Sequence, residues 1–375
     1  MATAELPKVH RALVQRVYAE PLQVEVIPTP QPTAGSAVVQ VLFTNVISYM
    51  GDIYNGTRKY SYATPLVAGC SAIGRIAAVG ADATLLQPGQ LVLIDSVIRG
   101  RDDPTAIILS GIVDGVSEGS RKLMQGEWRD STYAEYVKAP LENCFPLDEA
   151  RLCGTPASGG LGYELARLMY ISALMVPFGG LRDIGLEAGE TVIIAPATGH
   201  FGGAAVFTAL AMGARVIAMG RNTEVLSRFK ALSARVETVR LTGDEEEEVA
   251  ALQKFGPADA FFDISPPQAS ESTHIQSAIR CLRHAGRVSF MGGLLGEVKI
   301  PYAPVMLKDI KIHGKWMYSR EDAGLLVKMV EVGLLSLEEK NGITVLGTYP
   351  LEEWKAAFDK AAENPSVGQI VLLRP

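Results

Sequence analysis

The stretch TVIIAPATGHFGGAAVFTALAMGARVIAMGRN, Thr191 to Asn222, decides the fold of this 375-residue chain. It opens on a β-branched run, Thr191 to Pro196, suited to a strand buried on both faces, and a second run of the same kind spans Arg215 to Met219. A small-residue turn and an apolar helix lie between them. The turn supplies Ala197, Gly199 and Gly202, which is G-x-G-x-x-G with alanine in the first position, and Gly203 follows at once. Each small residue answers a steric demand: a sharp exit from the strand, close approach of backbone N–H groups to a pyrophosphate, and tight packing of helix on strand. The unit has the βαβ length that this fingerprint requires, so the spacing predicts a dinucleotide site built from Ala197, Thr198, Gly199, His200, Phe201 and Gly202. His200 either touches a phosphate or ribose, or is a surface histidine at a helix start.

The choice of dinucleotide falls at the end of the second strand, where an acidic side chain would bind the ribose 2′-hydroxyl of NAD. This chain has Gly220, Arg221, Asn222 and Thr223 there. A carboxylate would repel a 2′-phosphate, whereas a guanidinium can grip one through two charge-assisted hydrogen bonds. Arg221, beside Asn222, therefore points to NADP(H). Its alternative is a solvated loop cation.

Composition bounds the rest. With 48% hydrophobic residues the chain can bury a large core, and its length suits two domains better than one. A net charge of −6 argues against nucleic-acid and membrane-surface roles. The N-terminal MATAELPKVHRALVQ lacks the apolar core of a signal peptide, and no apolar run is long enough to span a bilayer, so a soluble, cytoplasmic protein is expected. Cys70, Cys144, Cys153 and Cys281 are scattered without a C-x-x-C pair, as reduced structural thiols would be.

The texture changes near residue 160. Before it, short β-type runs such as AVVQVLFTNV, IGRIAAVG and QLVLID alternate with Gly/Pro punctuation, which suits an antiparallel, barrel-like domain. After it, strands and helices alternate through VETVRL, ADAFFDI, GRVSFMGG and IKIHG, the signature of a doubly wound parallel sheet. Residues 321 to 335 read as an amphipathic helix, and GQIVLLRP as a strand able to rejoin the first domain. The expected domains are 1–160 with 319–375, and 161–318. The acidic run Asp244 to Glu248 reads as the solvated first turn of a helix, where carboxylates suit the macrodipole.

The phrases SYMGDIYNG, PLVAGCSAIGRIAAVGADA, LQPGQLVLID and GEWRDSTYAEYVKAP, followed by LEAGETVIIAPATGHFGGAAV, ADAFFDISP and GRVSFMGG, carry a resemblance. In order and spacing the chain resembles the medium-chain dehydrogenase/reductase superfamily. The resemblance implies an α/β protein with a GroES-like β-barrel catalytic domain, made from both ends of the chain, and a Rossmann domain for the cofactor, with the active site in the cleft between them. It also implies a homodimer in which the last strands of the cofactor domain pair across a twofold axis. The apolar run from Val298 through Ile312 has the edge-strand character to do so.

Departures from the family narrow the chemistry. Zinc-dependent members have a cysteine where this chain has Tyr49, and Gly-His-Glu where it has Gly69, Cys70 and Ser71. The region corresponding to the structural zinc lobe, about Asp95 to Arg129, has no cysteine, and the five histidines form no H-x-x-H cluster. No metal is expected. The segment holding Tyr49, Asp52, Tyr54 and Tyr60 is similar to the N-x-x-D-x-Y segment of zinc-free quinone oxidoreductases and enoyl reductases, with Tyr49 replacing the asparagine. These four are the catalytic candidates. A phenol can protonate a developing enolate, and Asp52 can orient a phenol or a cofactor hydroxyl. Tyr54 and Tyr60 read equally as packed rings with satisfied hydroxyls, and Asp52 as a loop hydrogen-bonder.

Ligands of doubly wound sheets bind at the carboxyl ends of the strands, which places Ile264 and Ser265, and Met291, Gly292 and Gly293, along the nicotinamide half of the site. Trp316, Met317 and Tyr318 form either a substrate wall or interdomain packing. The expected activity is zinc-independent, NADPH-dependent hydride transfer to a C=C bond conjugated to a carbonyl in a small organic substrate. Carbonyl or imine reduction with Tyr49 as the acid is the rival, and a non-catalytic NADPH-binding protein or a cyclase on the same scaffold are the others.

Overall fold

Valine, isoleucine and alanine occupy successive positions of the strands Thr191–Ala195 and Arg215–Gly220, so both faces of each strand must be covered. In the computed structural model, which describes residues 5–375, they are. Val192, Ile194, Val216 and Ala218 pack with Ala205, Val206 and Ala209 on one side of the sheet. Ile193, Ile217 and Met219 pack with Leu252, Ile275 and Ile279 on the other. Side chains alternate across a strand, so one five-residue run serves two cores.

The sheet is parallel throughout. Its order is Val236–Arg240, Arg215–Gly220, Thr191–Ala195, Ala258–Asp263, Leu282–Phe290 and Lys311–Gly314, with Ile193 opposite both Ile217 and Phe261. That reads 3-2-1-4-5-6 in chain order, the arrangement of a dinucleotide-binding sheet whose switch point lies beside its first strand.

The first unit is antiparallel, as its alternating runs predict, except that Thr344–Tyr349 runs parallel to the tail strand Gln369–Leu373. Ser36–Asn45 pairs along most of its length with Ala72–Val79, which pairs in turn with Leu91–Ile94 and, beyond that, Cys144–Pro146. Ala37, Val39, Val41, Ile76 and Val92 fill its interior. On the other side of Ser36–Asn45 lie Tyr136–Pro140 and, at its far end, the tail strand Gln369–Leu373, with Leu372 opposite Asn45. A separate three-stranded sheet holds Gln23–Pro28, Val9–Gln15 and Leu66–Val67.

The division into units departs from the expected boundaries. One unit runs through Ser172 and adds Ile343–Pro365 and Gln369–Pro375; the other is Ala173–Gly342 with Ser366–Gly368. The first crossing comes later than 160 because the 3-10 turn Leu165–Met169 packs on the barrel strands. The return comes later than 319 because the helix Arg320–Glu331 belongs to the Rossmann unit, where Arg182 bonds its Asp322 at 3.1 Å.

Two other expectations are corrected. Val298 to Ile312 is not a strand: residues Tyr302–Leu307 are a short helix, and the edge strand is only Lys311–Gly314. Proline at 301 and 304 rules out a continuous ladder. In the acidic run, Asp244 caps the helix Glu245–Gln253, but Glu248 is 1% exposed rather than solvated. Its carboxylate accepts from the Thr242 and Gly243 amides and from the Thr273 and Ser277 hydroxyls, at 2.7 to 3.0 Å. Four donors replace the water it loses. Among the described residues, no helix is long and apolar enough to cross a membrane.

Candidate active site

The glycine turn is shaped by backbone contact. A Cβ on Gly202 would lie 2.0 Å from the Pro196 carbonyl oxygen, so the helix can start this close to the strand only with glycine there. The Ala197 amide, buried under the turn, bonds the Met219 carbonyl at 2.6 Å and ties the turn to the neighbouring strand. Thr198 lies over Gly220, where a Cβ would be 2.4 Å from its methyl group. The helix His200–Ala211 has Gly199 as its N-cap and no side-chain cap, so no capping side chain competes with an anion at this helix start. This turn fits a pyrophosphate.

One nitrogen of His200 is already engaged. Its imidazole hydrogen-bonds the Ser366 backbone and stacks edge-on against Phe201 with ring centroids 5.0 Å apart. Burial drives its pKa down to about 4, only partly offset by the Ser366 bond, so the ring is neutral at physiological pH. Arg221 is exposed and meets no carboxylate among the described residues. Asn222 is otherwise engaged, since its side-chain oxygen caps the helix Thr223–Leu232 through the Glu224 and Val225 amides. Asn is a favoured cap residue, and that role uses its side-chain oxygen and leaves its amide nitrogen as a donor.

At the carboxyl end of Ala258–Asp263 the structure differs from expectation again. Ser265 is 1% exposed, and its hydroxyl donates to Asp263 Oδ1 at 2.5 Å and lies 2.8 Å from His274 Nε2. His274, fully buried, also reaches Asp263 Oδ1 at 3.0 Å, and its other nitrogen meets Ser272 Oγ at 2.7 Å. The Ser265 side chain is therefore part of a closed network rather than a cofactor contact. A Cβ on Gly292 would lie 2.7 Å from both Asp263 Oδ2 and the Ser265 nitrogen, so the Met291–Gly293 loop rests directly on this network. Gly293 N bonds Ser265 O at 2.7 Å. Ile264 and Met291 are partly buried and pack against the core on this side of the sheet. Tyr318 is buried against Gly179.

In the barrel unit the four catalytic candidates part company. Tyr54, 3% exposed, donates to the Gly111 carbonyl at 2.8 Å and accepts from the Gly69 amide at 2.9 Å, so it is a packed ring with a satisfied hydroxyl and not a proton donor. It ties the 111–114 turn to this segment, as does Ser61 donating to Asp114 at 2.9 Å. Asp52 is exposed, and its carboxylate has no hydrogen bond or ion pair among the described residues, so it does not orient a phenol here. Tyr49 and Tyr60 remain, both half-buried. Arg58 joins them: its guanidinium carbon stands 3.8 Å from the Tyr49 ring centroid, and Nη1 donates to the Tyr60 hydroxyl at 3.3 Å. Burial pushes the Tyr49 phenol above its ordinary range, the Tyr60 phenol adds to this, and the Arg58 charge opposes it.

Beside them the Cys70 thiol, 3% exposed, donates to the Asn45 carbonyl at 3.1 Å, and burial pushes its pKa up to about 12. Arg58 escaped the sequence reading because a lone arginine in a Gly/Thr/Lys loop looks like a solvated cation. His274 escaped because nothing local marks a histidine nine residues after its serine partner.

A doubly wound sheet with a glycine turn, an open helix N-terminus and a separate barrel unit defines a nicotinamide-dinucleotide dehydrogenase architecture. The family description "Alcohol dehydrogenase GroES-like domain" matches residues 33–149 and "Zinc-binding dehydrogenase" matches 201–331. The chain belongs to the medium-chain dehydrogenase/reductase superfamily and is an oxidoreductase of that kind. It is 24% identical to an L-threonine 3-dehydrogenase of Anaeromyxobacter sp. (strain Fw109-5), over 96% of this chain and 98% of that protein. It is also 24% identical to an acryloyl-coenzyme A reductase of Metallosphaera sedula, over 96% of this chain and 99% of that one. A Sinorhizobium meliloti 1021 protein solved bound to NADP shares the fold, with a TM-score of 0.76 at 17% identity, covering 98% of this chain and all of that one.

Proposed function

We propose that the protein is a zinc-independent, NADPH-dependent reductase that transfers hydride to a C=C bond conjugated to a carbonyl. The observation that carries this reading is the donor set at Tyr49, Cys70 and Ser71. A catalytic zinc needs three side-chain ligands in a fixed geometry, with any cysteine ionised. Of these three only Cys70 offers a ligand type that zinc prefers, and Tyr49 carries a cation over its ring face. Ser71 Oγ meets Ser96 Oγ at 3.4 Å. The residues present do not fit the metal that the family description implies, and no step is routed through one.

NADPH, when bound, supplies the hydride. Support for NADPH over NADH comes from Arg221 standing unpaired where an NAD enzyme carries an acid. Gly199, Gly202 and the leading helix amides would hold the pyrophosphate. Tyr49, kept protonated at neutral pH, is the proton source for the enolate that a conjugated acceptor becomes. A conjugated acceptor suits this site because hydride at the β-carbon needs no Lewis acid on the reacting carbon.

The test is steady-state loss of NADPH absorbance with enones, quinones and aldehydes. Turnover of enones well above aldehydes is expected. Aldehyde reduction alone, or no oxidation of NADPH with any acceptor, overturns the reading.

A further inference from the structure

We infer that Arg58 selects substrates carrying an anionic group, a carboxylate or phosphate, beside the conjugated system. The inference deepens the functional reading above and rests on it in one respect, that Tyr49 marks the substrate site.

A half-buried guanidinium normally meets a carboxylate. Arg75 meets Glu149 at 2.7 Å, Arg283 meets Asp259 at 2.5 Å and Arg287 meets Glu190 at 2.5 Å. Arg58 meets none among the described residues, although Asp52 lies only six positions away. Partial removal of a cation from water without an opposite charge is unfavourable; the Tyr49 ring offsets part of that cost, and a counter-charge arriving with the ligand offsets the rest.

The geometry narrows what that ligand is. The guanidinium lies with its carbon over the Tyr49 ring, and only Nη1 is engaged, with the neutral Tyr60 hydroxyl. A guanidinium has five N–H donors in a planar fork. With the ring under its carbon and one Nη1 bond made, N–H donors of the fork remain to grip a carboxylate or phosphate through two parallel bonds. Tyr49 and Tyr60 hold the fork in place before the ligand arrives, which lowers the ordering cost of binding.

Three probes separate the possibilities: benzylideneacetone, its ring-4 carboxylate and its ring-4 phosphate ester. Each is titrated calorimetrically into the protein saturated with NADP⁺, so that no turnover occurs. At least one anionic probe should bind about tenfold or more tightly than the neutral one, as expected for hydrogen bonds between charged groups. Arg58→Gln should bring that ratio to within about threefold of unity, and Arg58→Lys, which keeps the charge but not the fork, should retain part of it. The tighter of the two anions identifies the source. Equal binding of neutral and anionic probes by the wild type, or an unchanged ratio in Arg58→Gln, overturns the inference. Selective anion binding without reduction of any probe by NADPH would uphold it while overturning the functional reading.

Discussion

Arg221→Ala tests the residue proposed to set the cofactor. In the structure Arg221 is exposed and has no side-chain partner among the described residues, so the substitution should leave the melting temperature essentially unchanged, as surface changes within about 0.5 kcal/mol do. Its whole effect should appear on binding. A guanidinium on a 2′-phosphate forms hydrogen bonds between charged groups, worth roughly 1.5 to 3 kcal/mol. At about 1.4 kcal/mol per tenfold, the dissociation constant for NADPH should rise roughly 10- to 150-fold. NADH carries no 2′-phosphate and should bind both proteins alike. Fluorescence titration of both cofactors against both proteins measures the four constants. The NADPH advantage of the wild type should also shrink at high salt, because the contact lies in solvent. Parallel losses for NADH and NADPH, or no loss for either, would refute the argument that Arg221 reads the phosphate.

Tyr49→Phe should lower turnover about 10²-fold with NADPH affinity unchanged, whereas Tyr54→Phe strands the Gly69 amide and Gly111 carbonyl and should cost roughly 1 to 3 kcal/mol of stability in a thermal melt. Normal turnover by Tyr49→Phe would move the proton source to water or to another group. Activity should survive prolonged chelation, with elemental analysis finding well under one zinc per chain; stoichiometric zinc with chelator-sensitive turnover would overturn the zinc-free reading. Pairing across the edge strand Lys311–Gly314 should give a homodimer, so light scattering at micromolar concentration that returned about 40 kDa would count against it. His200 has a folded pKa of about 4 against an ordinary 6.5, so between those values the unfolded chain binds a proton that the folded chain refuses. Stability from this group is full above pH 6.5 and falls as the pH drops toward 4. His200→Gln should therefore lose less melting temperature between pH 7 and pH 5 than the wild type does.

What was legible in the sequence follows from how many neighbours a residue needs in order to declare its role. Thr191–Ala195 and Arg215–Gly220 could be read nearly to the residue, because a strand covered on both faces must be apolar at every position. Gly202 was legible because only glycine tolerates a carbonyl oxygen at that distance. Tyr49 and Tyr54 were not separable. They bracket one short helix, and its rotation leaves Tyr49 half-buried while sending Tyr54 against Gly69 and Gly111 from distant segments. Glu248 was hidden by its company: four acidic neighbours suggest water, and the donors that satisfy it come from Thr273 and Ser277 as well as from the adjacent turn. The Asp263–Ser265–His274 network shows the same limit, since its geometry exists only after strand and helix have packed.

The placement of the tail strand has a consequence for how the molecule is made. Leu372 pairs with Asn45, so the partners are more than three hundred residues apart in the chain. At a synthesis rate of about 5 to 20 residues per second, roughly 15 to 60 s separate the emergence of the two. Throughout that interval the Thr44–Asn45 end of a central strand presents one unpaired edge, the kind of surface that templates mispairing with another chain. The Rossmann sheet has no such wait, because all six of its strands lie within one continuous segment. Newly made chains therefore carry a finished cofactor sheet beside an open barrel. Their exposure to aggregation is set by the arrival of Gln369–Leu373.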